Sequence, residues 1–182
     1  VSNNNYYTPQ HLVDAIFEKV VRPVECGKWL EPAAGDSRIV NAMRSVDASG
    51  AIDAVEISRI GRSASATNWF EDDFIAWRPR EAIYYDRIVT NPPYTLAEEY
   101  VSKCLDLLAS GGQLILLLRL AFLEGQGRYE RLWRHEAFVP ARIWTLAKRP
   151  SFDGHGTDAT AYGVFEWCAD KRRFPELRWL EW

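Results

Sequence analysis

The chain has 182 residues, of which 47% are apolar and 26% charged, with a formal net charge of −3. This is ordinary globular composition, so collagen-like, coiled-coil and disordered chains are excluded. The longest aliphatic run, Leu114 to Leu118, is far short of the ~20 residues that span a membrane. No basic-then-apolar leader opens the sequence, which therefore reads as cytoplasmic.

A chain of this length forms one domain and buries roughly 70% of its unfolded surface without staples. Cys26, Cys104 and Cys168 are an odd count at wide spacing, with no CxxC pair or Cys/His cluster. They read as packing residues, not as a disulfide framework or a zinc site. His11, His135 and His155 are scattered, so no metal-ligand set is expected.

Polar Ser2 to Asn5 reads as a frayed start. Behind Pro9, apolar Leu12, Val13, Ile16, Phe17, Val20 and Val21 recur with helical period and predict a helix from His11 to Val21. A short strand ends at Trp29-Leu30, and the turn Glu31-Pro32-Ala33-Ala34-Gly35-Asp36-Ser37 follows. It leads into a helix from Arg38 to Val46, capped by Asp36 or Ser37. Ala51 to Ile57 reads as a strand, Ser58 to Ser65 as a short helix, and Ala66 to Phe70 as a weaker strand. Tyr84 to Thr90 is a strand that stops at Asn91-Pro92-Pro93, because two prolines cannot continue a central strand. Leu96 to Leu108 is helical and closed by Gly111-Gly112. Gln113 to Arg119 is almost wholly aliphatic, as in a strand buried on both faces. Tyr129 to His135 reads as a helix, and Ala141 to Leu146 and Ala159 to Trp167 as strands.

Strands alternating with helices predict a doubly wound α/β domain with a mostly parallel sheet and helices on both faces. Residues 1–22 form an N-terminal helical segment, 23–167 the α/β core, and 168–182 a short C-terminal tail. Right-handed crossovers place the strand-to-helix loops at one sheet edge. The loops after Leu30 and after Thr90 should therefore share one crevice.

Charge is unevenly spread. From Arg119 to Arg149 seven basic residues (Arg119, Arg128, Arg131, Arg134, Arg142, Lys148, Arg149) face three acids (Glu124, Glu130, Glu136). The stretch is thus +4 and the remainder −7. Such asymmetry builds a basic face on an acidic protein, or a solvated helix whose arginines pair with those three glutamates. Eight tryptophans supply either core or stacking surface.

The first loop carries one glycine, Gly35, ahead of a helix, so its backbone N–H groups can approach a ligand closely. Glu56, at the end of the next strand, stands where an acid accepts hydrogen bonds from ribose hydroxyls. In Asn91-Pro92-Pro93-Tyr94 an amide oxygen and a proline carbonyl can converge on one point, which suits an –NH2 donor. Tyr94 offers a flat face for the ring that carries that amine.

Asn91-Pro92-Pro93-Tyr94 together with Glu31-Pro32-Ala33-Ala34-Gly35 resembles the S-adenosylmethionine-dependent amino-methyltransferases of DNA. Tyr7-Thr8-Pro9 before an amphipathic helix is similar to the N-terminal cofactor motif of their adenine-N6 members. Glu56 matches the family's ribose acid, followed by Ile57, and Asp73-Phe74 matches the pair that holds the cofactor's adenine. Gly111 to Leu118 matches a later Gly-Gly strand. The motif order is that of the gamma class, in the small form found in phages and prophages. Ser37 stands where the family has a second glycine, and the family's separate target-recognition domain has no counterpart in residues 1–182.

The resemblance implies a class I, Rossmann-like fold with a seven-stranded sheet. It implies S-adenosylmethionine as cofactor, held by Tyr7, Thr8, Pro9, Glu31, Pro32, Ala33, Gly35, Asp36, Glu56, Ile57, Asp73, Phe74 and Asn91. It implies DNA as partner, with adenine N6 methylated at Asn91-Pro92-Pro93-Tyr94 and the base stacked between Tyr94 and Phe152. Arg119, Arg128, Arg131, Arg134 and Arg149 are the expected nucleic-acid path, and neither metal nor membrane is expected. The same motif permits cytosine N4, an RNA base or protein glutamine as target, and a non-catalytic cofactor-binding subunit is the alternative of another class.

Overall fold

The structure is a computed structural model that describes residues 7–58, 61–79, 81–152, 159–168 and 175–182. Its centre is an eight-stranded sheet in the order β3-β2-β1-β4-β5-β7-β6-β8. The strands are β1 (Lys28–Glu31), β2 (Ala51–Glu56), β3 (Asn68–Glu71), β4 (Tyr85–Thr90), β5 (Leu108–Arg119), β6 (Arg142–Leu146), β7 (Tyr162–Cys168) and β8 (Glu176–Leu180). β1 to β5 pair in parallel, and β6 pairs in parallel with β8. Only β7 runs against its neighbours β5 and β6. The expected mostly parallel α/β sheet is present with eight strands instead of seven. The extra one lies within 168–182, the segment expected to be a tail.

The helices are α1 (Gln10–Lys19), α2 (Arg38–Val46) and α3 (Ala97–Asp106). They cover the sheet on two sides, because β5 alternates its side chains between two cores. Ile115 and Leu117 join Leu12, Val13, Ile16, Val40 and Met43 on the α1–α2 side. Leu114, Leu116 and Leu118 join Ala97, Tyr100, Val101 and Cys104 on the α3 side. Each such aliphatic side chain contributes about 1.5–3 kcal/mol on full burial.

Two features hold the sheet end remote from the site. Asp47, just past α2, accepts from Gly27 N–H and Trp29 Nε1–H at 2.9 Å each and from Cys26 N–H at 3.2 Å. Burial works against its charge, but these donors prevail and hold the carboxyl below its ordinary pKa. Glu166, buried on β7, accepts from Gln113 at 2.9 Å, Arg142 at 3.1 Å and Trp144 at 3.1 Å. Arg142, counted in the basic stretch, is therefore a core residue.

Some local expectations are corrected. Residues 61, 64 and 65 are turns and 62–63 have no regular structure, so the short helix expected from Ser58 to Ser65 is not present among the described residues. α3 ends at Asp106, and Gly111-Gly112 lies inside β5 instead of closing the helix. The ladder shifts register there, between the pairs Tyr85–Leu108 and Arg87–Gln113. The helix expected at Tyr129 starts earlier, as one α-turn, α4 (Gln126–Arg128), that passes into a π-helical stretch, Tyr129–Trp133. All three cysteines are free; Cys104 is buried as a packing residue would be, whereas Cys26 is exposed. Trp29, Trp77 and Trp167 are buried, whereas Trp179 on β8 is 65% exposed. Ser2 to Asn5 and the segment 153–158 lie outside the described residues. Among the described residues, no helix is long and apolar enough to cross a membrane.

Candidate active site

The C-terminal ends of β1, β2 and β4 open into one cleft with a cavity of about 240 Å³. Tyr7 and Thr8 come from the segment before α1, Ala33, Gly35 and Asp36 from the first loop, Glu56 and Ile57 from the end of β2, and Asn91 to Tyr94 from the end of β4. The two special loops therefore meet, as right-handed crossovers require. Gly35 has φ +49°, and a Cβ there would stand 3.3 Å from the Tyr7 ring. Glycine thus lets the first loop and the N-terminal segment close on each other.

Glu56 is tied to the first loop. Its Oε2 accepts from Gly35 N–H at 2.8 Å, and its Oε1 from Ser58 N–H at 3.1 Å and Ser58 Oγ–H at 3.0 Å. A carboxylate accepts about four hydrogen bonds, so one hydroxyl of a diol can be received as the site stands and the second by displacing the Ser58 Oγ–H. Ile57 beside it is 72% exposed and offers an apolar rim. Asp36 pairs with Arg38 at 2.9 Å, and Arg38 also reaches the Thr8 carbonyl at 3.1 Å. Pro9 stands at the N-terminus of α1.

Glu31 and Pro32 lie beneath the cleft. Glu31 is wholly buried and accepts from Ala33 N–H at 3.0 Å. Burial pushes its carboxyl well above the ordinary value and the nearby Glu56 charge adds to this, whereas the neighbouring Thr90 hydroxyl and the Ala33 N–H work against it. Pro32 offers its carbonyl to Tyr100 at 3.4 Å. Asp73 and Phe74 do not line the cleft. Asp73 Oδ1 accepts from Ile75 N–H at 2.9 Å, and Phe74 packs on Tyr100 at 4.9 Å with Lys103 Nζ 4.6 Å from its ring. Their turn touches the site through backbone, where Asp72 N–H donates to the Glu56 carbonyl at 3.1 Å.

Asn91 and Tyr94 engage each other. The Tyr94 hydroxyl donates to Asn91 Oδ1 at 2.9 Å. The ring carries the Arg119 guanidinium 4.9 Å from its centroid and lies 5.5 Å from Tyr162, which in turn lies 5.1 Å from Phe152. Tyr94 also walls a second cavity of about 210 Å³, lined by Thr95, Arg119, Phe122 and Arg128. Arg119 thus lies over the Tyr94 ring, and Tyr162 packs beside it at an interplanar angle of 47°. Tyr162 and the Tyr94–Asn91 bond were missed in the sequence; the signal available was the three-residue spacing of Asn91 and Tyr94.

The basic stretch divides. Arg128 and Arg131 clamp Glu98 of α3 at 3.1 and 2.9 Å, not Glu124, Glu130 or Glu136. Those two guanidiniums, Arg131 first, hold the Glu98 carboxyl below its ordinary range. Arg128 further binds the carbonyls of Ala121, Phe122 and Glu124. Arg119 sits against Tyr94, and Arg134 and Arg149 are exposed. Among the described residues no group of three or more His, Cys, Asp or Glu is placed to hold a metal ion.

No protein-family model and no curated protein matches the sequence. Solved structures do match in fold. A modification subunit assigned to a type I restriction enzyme of Vibrio vulnificus superposes with a TM-score of 0.72 at 14% identity, over 99% of this chain and 48% of that one. A protein of Listeria monocytogenes assigned as a class I S-adenosylmethionine-dependent methyltransferase gives 0.64 at 14% identity, over 100% and 67%. The precorrin-6y C5,15-methyltransferase of Geobacter metallireducens gives 0.63 at 17% identity, over 92% of each chain. The fold is that of the class I S-adenosylmethionine-dependent methyltransferases. The chain spans about half the length of the Vibrio subunit.

Proposed function

We propose that this chain is an S-adenosylmethionine-dependent DNA methyltransferase acting on the exocyclic N6 amine of adenine. The observation that carries the reading is the meeting of Asn91-Pro92-Pro93-Tyr94 with Gly35 and Glu56 in one cleft. The residues present suit that cofactor: a two-oxygen acceptor at Glu56 for a ribose diol, an exposed apolar rim at Ile57, and a glycine-lined loop beside Tyr7. S-adenosylmethionine supplies an electrophilic methyl group on a sulfonium. Tyr7, Gly35, Asp36, Glu56, Ile57 and Asn91 would hold it.

Asn91 Oδ1 and the Pro92 carbonyl accept the two amine hydrogens of the target. This draws the nitrogen lone pair out of conjugation with the ring and favours the positive charge that develops on nitrogen. The Tyr94 hydroxyl yields Asn91 Oδ1 to the incoming amine, and its ring stacks on the base. Stacking is worth ~1–3 kcal/mol per base, which offsets the few kcal/mol of unstacking the target. Exposed Arg134 and Arg149 contact phosphate, and Arg128 and Arg131 serve the α3 clamp. Similarity to part of a modification subunit supports DNA as substrate, with sequence reading supplied by a further domain or polypeptide.

The test is transfer of a labelled methyl group to duplex DNA, single-stranded DNA, RNA and protein, followed by digestion to identify the modified unit. N6-methyladenine in DNA is expected, and Asn91→Ala should remove most turnover with the fold intact. Label in cytosine, RNA or glutamine would replace the adenine assignment. Full activity of Asn91→Ala would overturn the mechanism.

A further inference from the structure

We infer that Ser37 and Gly61 form a positioning pair that fixes the first loop at the height the cofactor needs, an inference that rests on the cofactor reading above. Neither residue is among those lining the cleft, so the pair acts through Gly35 and Asp36.

Ser37 sits at φ 66°, in the left-handed region, and is 1% exposed. That conformation favours glycine, yet serine stands here, and its hydroxyl is spent on one bond, donated to the carbonyl of Gly61. It does not cap α2, whose N-terminus receives no side-chain hydrogen bond from it.

Gly61 lies in the connection after β2 and has φ +88°. A Cβ placed on it would stand 1.9 Å from the Gly35 carbonyl oxygen and 2.9 Å from Asp36 Cα, both backbone atoms. The two connections are therefore in backbone contact with no room for a side chain. Gly35, touched there on its carbonyl, is held on its other side by its N–H on Glu56 Oε2 at 2.8 Å. Gly61 from one side, Glu56 from the other and the Ser37 hydroxyl at the end leave the Gly35-Asp36 peptide one position. The glycine missing from the first loop at Ser37 thus has a counterpart in the second connection, with a serine hydroxyl joining the two.

The experiment titrates the full chain with S-adenosylmethionine and with S-adenosylhomocysteine by calorimetry, for the parent, Gly61→Ala, Ser37→Ala and the double variant. Circular dichroism and urea unfolding establish that each is folded. Gly61→Ala should weaken both ligands by about tenfold or more, since displacement of a binding group by a fraction of an ångström has effects of this order. Ser37→Ala should weaken them less, by roughly threefold to tenfold, and should add little in the Gly61→Ala background, as coupled neighbours do. Turnover at saturating cofactor should stay within about twofold while the cofactor KM rises, which separates positioning from a general structural lesion. If Gly61→Ala does not fold, Ser37→Ala decides alone. Unchanged affinity in the folded variants, or additive losses, would overturn the pair. A parent that binds neither ligand would overturn the cofactor reading and this inference with it.

Discussion

Replacing Tyr94 by phenylalanine separates its two roles. The hydroxyl bonds to Asn91 Oδ1 at 2.9 Å, the same oxygen that the mechanism assigns to the target amine. An uncharged hydrogen bond contributes a net ~0.5–1.5 kcal/mol, and Asn91 is only half-buried, so water replaces the lost donor. The incoming amine displaces that water more readily than it displaces the hydroxyl. Tyr94→Phe should therefore lower the KM for adenine DNA by about twofold to tenfold, the range those energies convert to. The ring stays, so kcat should change little, and stability to urea should fall by about 1 kcal/mol. Tyr94→Ala should act the opposite way, raising KM by roughly fivefold or more as stacking is lost. The assay is steady-state methylation of an oligonucleotide, with 2-aminopurine at the target position reporting extrusion of the base. A KM for Tyr94→Phe that is unchanged or raised would refute the idea that the hydroxyl holds the place of the amine.

Other expectations concern charge. Glu31 is favoured protonated in the fold, so its contribution to stability is full below the unfolded pKa of about 4.5 and is lost as pH rises. Glu31→Gln should consequently gain on the parent in urea midpoint as pH rises above about 5. Asp47 has the reverse sign: its folded pKa is depressed, so its support is present above about pH 4 and lost as pH falls. Asp47→Asn should cost about 2–3 kcal/mol at neutral pH, measured by urea unfolding. Arg134→Glu with Arg149→Glu should reduce the salt slope of DNA binding by about 2. Arg128→Ala with Arg131→Ala should leave that slope unchanged and lower thermal stability.

What the sequence discloses depends on how local its signal is. The helical period behind Pro9, the aliphatic Leu114–Leu118 run and the proline stop after Thr90 are local, and each element appears within a few residues of its expected place. The shared crevice follows from crossover handedness alone. Ser58 to Ser65 misleads because a short polar stretch with one isoleucine resembles a helix turn, whereas Gly61 is there for its contact with Gly35, 26 positions earlier in number. The Glu98 clamp joins residues 30 and 33 positions apart, so composition saw the arginines but not their carboxylate. Phe74 follows the same logic: its motif neighbour Asp73 is legible, but its burial against Tyr100 depends on where α3 docks. β8 carries alternating exposed and covered residues at a sheet edge, a pattern too weak to separate from a polar tail.

The tryptophans have a spectroscopic consequence. None of the eight tryptophans is in the lining of the cleft; Trp29, Trp77 and Trp167 are buried and Trp179 is exposed. Indole emission of this protein will follow loss of the core during unfolding, with Trp179 as a constant solvent-exposed background. A ligand entering beside Gly35 and Glu56 touches no indole, so quenching titrations will underreport occupancy. Tyr7 and Tyr94 are the chromophores at the cleft, and ultraviolet difference absorption of tyrosine is the optical signal that binding there will move.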